Sequence, residues 1–274
     1  MTNTFLDTIM KHKKHEVAAA RRKIPDATLM KTIRESKPRR SLAGVLSVPD
    51  RIHIIAEIKR ASPSRGVLCE SLHAAELAQE YEQAGAAAIS VLTDSAFFKG
   101  SPDDLKKAKS VTTIPVLRKD FIVSAYQVIE SAAMGADAIL LIVRILTVDQ
   151  LQQFLALCSQ VNLEALVEVH SPDDMKKALQ VKARIIGINN RDLATFETDI
   201  TKALGIGQML GPSQIPVVAS GIQSKDDILS YYRAGLNNFL IGESLVVAKN
   251  PGDRLKSYLQ VQHTKDGSCR LIMK

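Results

Sequence analysis

An acid and a base stand two residues apart near the end of an apolar segment. Glu57 and Lys59 follow apolar residues that end at Ile55, and residues two apart in a β-strand point to the same face. A carboxylate and an ammonium group on such a face are costly to bury without a partner or a task. A Ser-, Pro- and Gly-containing loop follows at once. The pair is therefore either a structural ion pair or part of an acid–base site at a strand's carboxyl end.

Further acids and bases end other apolar segments. If these segments are strands of one α/β sheet or barrel, their carboxyl ends form a single rim where chemistry is usually placed. This rim would add four side chains to the first pair: Lys119, Arg144, Glu168 and Arg191. Lys and Glu would carry the proton transfers, because burial and clustered cations can lower the pKa of a lysine and burial can raise that of a glutamate. His170 follows Glu168 closely, but a lone histidine is more often a hydrogen-bonded structural residue.

Two glycine-containing turns indicate a phosphate site. Ser220-Gly221 and Gly242-Glu243 end the last two apolar segments. In many barrels the loops after strands seven and eight, together with the start of a short helix, bind a phosphate group. Glycine lets backbone N–H groups approach an anion closely. Each glycine could alone be an ordinary turn residue, but their shared position favours the phosphate interpretation.

Other kinds of site are absent from the sequence. No Gly-rich dinucleotide motif follows the first strand, and no P-loop is present. The three cysteines, Cys69, Cys158 and Cys269, do not have metal-binding spacing, and no histidine pair does. The sequence therefore indicates neither a metal site nor a nucleotide site of these kinds. So few cysteines fit a reducing compartment. With no signal-peptide core and no apolar stretch long enough to span a membrane, the cytoplasm is the expected location.

A recurring pattern indicates the elements that position these side chains. Helix-end glycines at Gly85, Gly135 and Gly235 are each followed by a short apolar run, as expected for βα units in series. Eight strands are predicted at about 52–58, 87–92, 114–118, 138–143, 164–169, 184–188, 215–219 and 238–241. Ser71, Ser101 and Ser171 are the expected helix N-caps of three of the intervening helices. The prediction is a (β/α)8 barrel, with a doubly wound sheet as the alternative.

The barrel is predicted to span residues 51–261. Residues 1–50 would form an N-terminal helical extension, with helices near 3–22 and 26–36 that end before Pro38. Residues 262–274 are polar and basic, and we expect them to fray.

The amino-acid composition and net charge limit the kinds of partner that the chain can bind. The chain has 274 residues, of which 46% are hydrophobic and 4% aromatic, and its net charge is +7. A basic chain can bind nucleic acid, an acidic membrane surface or an anionic small molecule. The densest basic cluster lies near the N-terminus and consists of Lys11, Lys13, Lys14, Arg21, Arg22, Lys23, Lys37, Arg39 and Arg40. No aromatic residues alternate with this cluster, so we expect no nucleic-acid partner and interpret the cluster as a solvated helical face. An anionic phosphorylated substrate is the expected partner, and we expect a monomer.

Several motifs in the right order resemble the indole-3-glycerol phosphate synthase family of tryptophan biosynthesis. The resemblance covers the N-terminal helix to about residue 260. The matching segments are IAEIKRASPS (55–64), ISVLT (89–93), VLRKDF (116–121), EALVEVH (164–170), GINNRDL (187–193) and LIGESL (240–245). The resemblance implies a carbon–carbon lyase that uses no metal and no organic cofactor. It would convert 1-(2-carboxyphenylamino)-1-deoxyribulose 5-phosphate to indole-3-glycerol phosphate, carbon dioxide and water.

The resemblance also implies roles for individual residues. Lys119 matches the general acid of ring closure, and Glu57, Lys59 and Glu168 match the second acid and the base. Asn189 matches a residue that orients substrate hydroxyls, and Phe121 a wall for the anthranilate ring. The remaining matches are substrate and phosphate contacts: Ser62, Arg191, Ser220, Gly221, Gly242 and Glu243. Which lysine serves which protonation step stays open.

One position departs from the family pattern. Family members commonly have Glu-Ser-Gly-Ile at the end of strand seven, where this chain has Ala219 in place of the glutamate. The alternative to an active enzyme is therefore a non-catalytic relative that binds the phosphorylated ligand. A third candidate, phosphoribosylanthranilate isomerase, would need a Cys/Asp acid–base pair, and no cysteine ends a strand here.

Overall fold

The computed structural model describes residues 5–63, 65–191, 201–263 and 269–271. Eight parallel strands close into a barrel in chain order, which confirms the predicted (β/α)8 architecture. The strands, numbered here one to eight, are His53–Ile58, Ala88–Leu92, Val116–Lys119, Ala138–Ile142, Glu164–Val169, Ile185–Asn189, Ile215–Ala219 and Asn238–Ile241. Their bounds agree with the prediction to within about two residues.

Helices connect the strands around the outside of the barrel. They are Ala74–Gln83, Pro102–Val111, Ala125–Ala133, Val148–Gln160, Pro172–Gln180, Thr201–Gly207, Lys225–Arg233 and Pro251–Leu259, with the short helix Glu243–Val246 after strand eight. Ser101 and Ser171 are N-caps as predicted, and each accepts a backbone N–H bond within the first turn. The prediction for Ser71 was wrong: that helix begins at Ala74. Arg60 donates a bond of 3.0 Å to the carbonyl of Leu72, which holds this stretch outside the helix.

The N-terminal extension contains the two predicted helices, Phe5–Lys23 and Asp26–Arg34, and a third, Leu42–Leu46, which was not predicted. The first helix places Lys13 against Asp94 and Asp120, both of which lie just past the carboxyl end of a barrel strand. At the opposite end of the barrel, the Ser41 hydroxyl and the Ala43 N–H both bond the carboxylate of Glu164. The extension thus runs from one end of the barrel to the other.

Apolar side chains pack inside the barrel and between the barrel and its helices. The inner group includes Leu117, Leu140, Leu166, Ala219 and Leu240. The strands are buried almost throughout, as expected for parallel strands covered by helices. In the described ranges, no helix combines the length and apolar character needed to cross a membrane.

The C-terminal tail was expected to fray. Instead, Val261–His263 and Cys269–Leu271 pair as an antiparallel two-stranded ribbon. Backbone hydrogen bonding between the two segments explains the difference, because the backbone donors and acceptors of a ribbon do not depend on the side chains. Residues 264–268 and 272–274 lie outside the described residues.

Candidate active site

A cleft lies at the carboxyl ends of the barrel strands, with an empty volume of about 1010 Å³ that is partly open to solvent. All twelve residues predicted for the site line it: Glu57, Lys59, Ser62, Lys119, Phe121, Glu168, Asn189, Arg191, Ser220, Gly221, Gly242 and Glu243. Arg144, which was expected on the same rim, is exposed and is not part of the lining. The chain turns into the 3-10 helix Val143–Ile145 directly after strand four, so Arg144 belongs to this turn and not to the lining of the cleft.

Glu57 lies between two lysines. Its Oε1 is 3.1 Å from Lys59 Nζ and its Oε2 is 3.7 Å from Lys119 Nζ. Lys119 is the last residue of strand three and Glu57 the fifth residue of strand one. The first sequence motif is therefore an ion pair that also belongs to a three-residue cluster in the cleft.

The direction of the pKa shifts in this cluster corrects the sequence-based expectation. Burial alone would lower the pKa of Lys119, but the carboxylates of Glu57 and Glu168 outweigh it and raise this pKa above its usual value. Burial would likewise raise the pKa of Glu57, but Lys59 and Lys119 lower it. The expectation was wrong because the carboxylates that face Lys119 outweigh both burial and the nearby cation Arg191. Both groups are therefore charged at neutral pH.

Glu168 lies on strand five, with its Oε1 3.4 Å from His170 Nε2. Among the described residues, neither ring nitrogen of the buried His170 has a hydrogen-bond partner of good geometry. The expectation of a hydrogen-bonded structural histidine was therefore wrong. Burial lowers the pKa of His170, so the imidazole beside Glu168 is neutral.

The loop after strand seven begins with two residues in the left-handed region of backbone conformation. Ser220 and Gly221 both have positive φ angles, 67° and 79°, and the Ser220 carbonyl accepts a bond of 3.1 Å from Asn190 Nδ2. The Ser244 hydroxyl bonds the carbonyl of Ile222 at 3.0 Å, which joins this loop to the one after strand eight. The two glycine-containing turns are thus held side by side.

Gly242 lies against the cluster of charges. A Cβ atom at this position would come within 2.5 Å of Glu57 Oε1 and 3.0 Å of Glu57 Cβ. Only glycine lets the loop after strand eight approach Glu57 this closely. Gly242 therefore both shapes the proposed phosphate site and leaves space for the acid–base cluster.

Two aromatic rings form one wall of the cleft. Phe98 and Phe121 have ring centroids 6.0 Å apart. Asp94 accepts the backbone N–H of Phe98, and Asp120 accepts that of Phe121. Phe98 was not predicted from the sequence, because it lies in a loop away from any strand end. The rarity of aromatic residues in this chain was the available signal.

Asn189 and Glu243 complete the outer part of the cleft. Asn189 Oδ1 accepts the backbone N–H of Arg191 at 3.0 Å. The Glu243 carboxylate contacts Arg65 Nε at 2.8 Å and Arg191 Nη2 at 3.5 Å. Two arginines and one carboxylate therefore meet at the mouth of the cleft.

Three residues of the matching motifs, Ser64, Asp192 and Leu193, lie outside the described residues. Within the described part of the chain, no three His, Cys, Asp or Glu side chains are grouped to hold a metal ion.

Comparison with known proteins places the chain among close relatives. The family model for indole-3-glycerol phosphate synthase matches residues 6–258. The chain is 50% identical over 249 residues to indole-3-glycerol phosphate synthase of Syntrophobacter fumaroxidans, covering 90% of this chain and 94% of that protein. It is 50% identical over 261 residues to the synthase of Desulfosudis oleivorans, covering 93% and 98%.

Solved structures show likeness in fold alone. Thiamine phosphate pyrophosphorylase from Pyrococcus furiosus has a TM-score of 0.59 at 16% identity, covering 80% of this chain and 96% of that one. The 3-hexulose-6-phosphate synthase from Salmonella typhimurium has a TM-score of 0.59 at 14% identity, covering 76% and 98%.

Proposed function

Because the chain belongs to the indole-3-glycerol phosphate synthase family, we propose that its cleft carries out the family reaction with the residues described above. The enzyme is a carbon–carbon lyase of tryptophan biosynthesis, and its substrate is 1-(2-carboxyphenylamino)-1-deoxyribulose 5-phosphate. An aromatic carbon attacks the substrate's carbonyl carbon while the carbonyl oxygen is protonated. Carbon dioxide is then lost from the ring, and water leaves to give the indole.

Lys119 is the proposed general acid of ring closure. The observation that carries this assignment is its position at the end of strand three, 20% exposed in the cleft and 3.7 Å from Glu57. Its raised pKa keeps it protonated before the reaction, and an acid must hold its proton in order to donate it. Lys59, on the other side of Glu57, is the proposed second acid. Glu168 is the proposed base that removes a proton as water is eliminated.

The rest of the cleft positions the substrate. Phe98 and Phe121 would hold the anthranilate ring, and Asn189 would orient the hydroxyls of the sugar chain. The phosphate would lie near Gly221 and Gly242, where backbone N–H groups can approach it. The remaining contacts to the substrate are proposed for Ser62, Arg191, Ser220 and the backbone of Glu243.

In a plot of kcat against pH, Glu57→Gln should shift the alkaline limb, the fall in kcat on the alkaline side, to lower pH. Glu57 is the largest charged contributor that raises the pKa of Lys119. Without it, burial should dominate and Lys119 should lose its proton at lower pH. In the wild type this limb should lie above the ordinary lysine value of about 10.4. Steady-state kinetics from neutral to alkaline pH measures both profiles.

Asp173→Asn is the control for this experiment, because Asp173 is an exposed carboxylate paired with Lys176 far from the cleft lining. Its profile should match that of the wild type. If the alkaline limb of Glu57→Gln lies at the same pH as that of the wild type, the limb does not report a Lys119 whose pKa is raised by Glu57. That result would contradict the assignment of Lys119 as the acid.

Gly242→Val should weaken the binding of inorganic phosphate by roughly 10-fold to 100-fold, the range of a hydrogen bond to a charged group. The added side chain would push the loop away from the anion and from Glu57. Isothermal titration with inorganic phosphate measures the effect. Gly205→Val is the matched control, since a Cβ at Gly205 meets nothing within 4 Å. Unchanged affinity in Gly242→Val would place the phosphate site elsewhere.

Ala219→Glu should raise kcat more than it changes KM. Ala219 lines the cleft and pairs with Asn189 in the barrel, at the position where relatives commonly have a glutamate. An added carboxylate would supply the acidic group that relatives commonly have at this place in the cleft, and an interaction made mainly in the transition state changes kcat more than KM. Ala219→Gln, with the same size but no charge, is the control. A level or lower kcat in Ala219→Glu would show that the site has adapted to alanine.

The comparisons give no support to a non-catalytic relative. We further propose that the protein acts as a monomer in the cytoplasm, without a nucleic-acid partner and without a metal or organic cofactor. Gel filtration of the purified protein would test the first of these proposals.

A further inference from the structure

Glu243 lies where two cavities meet. With Arg191, Gly221 and Ile222 it lines both the inner cleft and a second, more open groove of about 870 Å³ on the outside. Arg65 and Arg254 line only the outer groove. The carboxylate of Glu243 therefore stands between the acid–base cluster and the outer groove.

Two arginines from different loops contact this carboxylate. Arg65 lies between the paired segments Ala61–Ser62 and Gly66–Val67, at the rim of the cleft, and its side chain is 58% exposed. Arg191 follows strand six, with its side chain 24% exposed. The Glu243 side chain is 17% exposed. A partly buried anion thus joins three loops of the rim.

A substrate phosphate near Gly221 and Gly242 would lie beside this carboxylate. Two anions in a partly buried site repel each other. Guanidinium groups bind phosphate at least as well as carboxylate, because their donors match the oxygens of either group. The phosphate and Glu243 would therefore compete for the same arginines.

We propose that Glu243 is an internal anion that occupies Arg65 and Arg191 until the substrate's phosphate displaces it. The proposal rests on the phosphate site of the proposed function. When phosphate binds, the arginines turn to it and the Glu243 side chain moves toward the outer groove, which has space for it. When product leaves, Glu243 pairs with the arginines again. Glu243 thus sets phosphate affinity and favours release, although its backbone contributes to the site.

Titration of the full chain with inorganic phosphate tests this role without any turnover. Glu243→Gln should bind phosphate more tightly, by roughly 3-fold to 10-fold, because the competing charge is gone while the side chain keeps its size. Glu243→Ser should change the affinity in the same direction. Arg65→Gln should weaken binding. Asp173→Asn, on an exposed helix start, should bind as the wild type does.

The titrations distinguish a failure of the proposed role of Glu243 from a failure of the proposed phosphate site. Unchanged or weaker phosphate binding in both Glu243 variants, with normal binding in the wild type, would overturn the role of Glu243 and leave the proposed function intact. Failure of the folded wild type to bind phosphate would overturn the phosphate site and the role of Glu243 together.

Discussion

Lys119→Met should lower kcat at least 100-fold while leaving the barrel folded. The substitution keeps an apolar side chain of similar length but removes the ammonium group that faces Glu57 and Glu168. Loss of a general acid costs roughly 10²-fold to 10⁴-fold in rate. KM should change far less than kcat, because the phosphate and the aromatic ring are bound by other parts of the cleft. Steady-state kinetics with far-ultraviolet circular dichroism checks both statements.

Two further variants distinguish the loss of a proton donor at position 119 from the loss of a positive charge. Lys119→Arg keeps a positive charge but donates a proton poorly, since arginine stays protonated in proteins; its kcat should be nearly as low as that of Lys119→Met. Lys106→Met, which changes an exposed lysine paired with Asp103, should leave kcat unchanged. Near-normal turnover in Lys119→Met would show that another group protonates the carbonyl oxygen.

Lys13→Met should destabilise the protein by about 3–5 kcal/mol, the typical cost of breaking a buried ion pair. Lys13 is fully buried, and its ammonium group is 2.8 Å from both Asp94 and Asp120 and 3.1 Å from Glu16. Removing it leaves two buried carboxylates without their shared cation. The raised pKa of Lys13, produced by these aspartates against the effect of burial, indicates the same coupling.

Urea unfolding followed by circular dichroism measures this change. Lys106→Met is again the matched control, because exposed ion pairs contribute only about 0–1 kcal/mol. A loss below about 1 kcal/mol in Lys13→Met would mean that the cluster around Lys13 does not hold the extension on the barrel. Since Asp94 and Asp120 bond the backbone of Phe98 and Phe121, we also expect a higher KM in this variant.

The barrel could be predicted because its signals are local. Three glycines end helices and adopt a positive φ angle: Gly85, Gly135 and Gly235. Each precedes a buried strand, so helix end and strand can be recognised from a short stretch of sequence. The charged site residues followed from the barrel, since the carboxyl ends of its strands meet at one rim, whereas Ser62, Phe121 and Asn189 followed from the resemblance to the family. The positions of Glu57 and Lys119 near the ends of their strands were therefore enough to predict that the two residues lie in the same site.

Features that depend on contacts between distant segments could not be predicted. Lys13 is read from the sequence as one of several exposed lysines, and only the docking of the first helix buries it between Asp94 and Asp120. The direction of the pKa shift of Lys119 depends on which charges face it, and spacing along the chain does not specify that. The helix Leu42–Leu46 is too short to give a periodic signal, and it contains Gly44, which is unfavourable within a helix.

Indole fluorescence after addition of 1-(2-carboxyphenylamino)-1-deoxyribulose 5-phosphate is the most direct test of Lys119 as the acid that closes the ring. The chain contains no tryptophan, so the protein itself contributes no indole signal when excited above the tyrosine band. The signal should grow steadily with the wild type and stay near the background with Lys119→Met. Equal product from the folded Lys119→Met variant, or none from the wild type, would contradict the account.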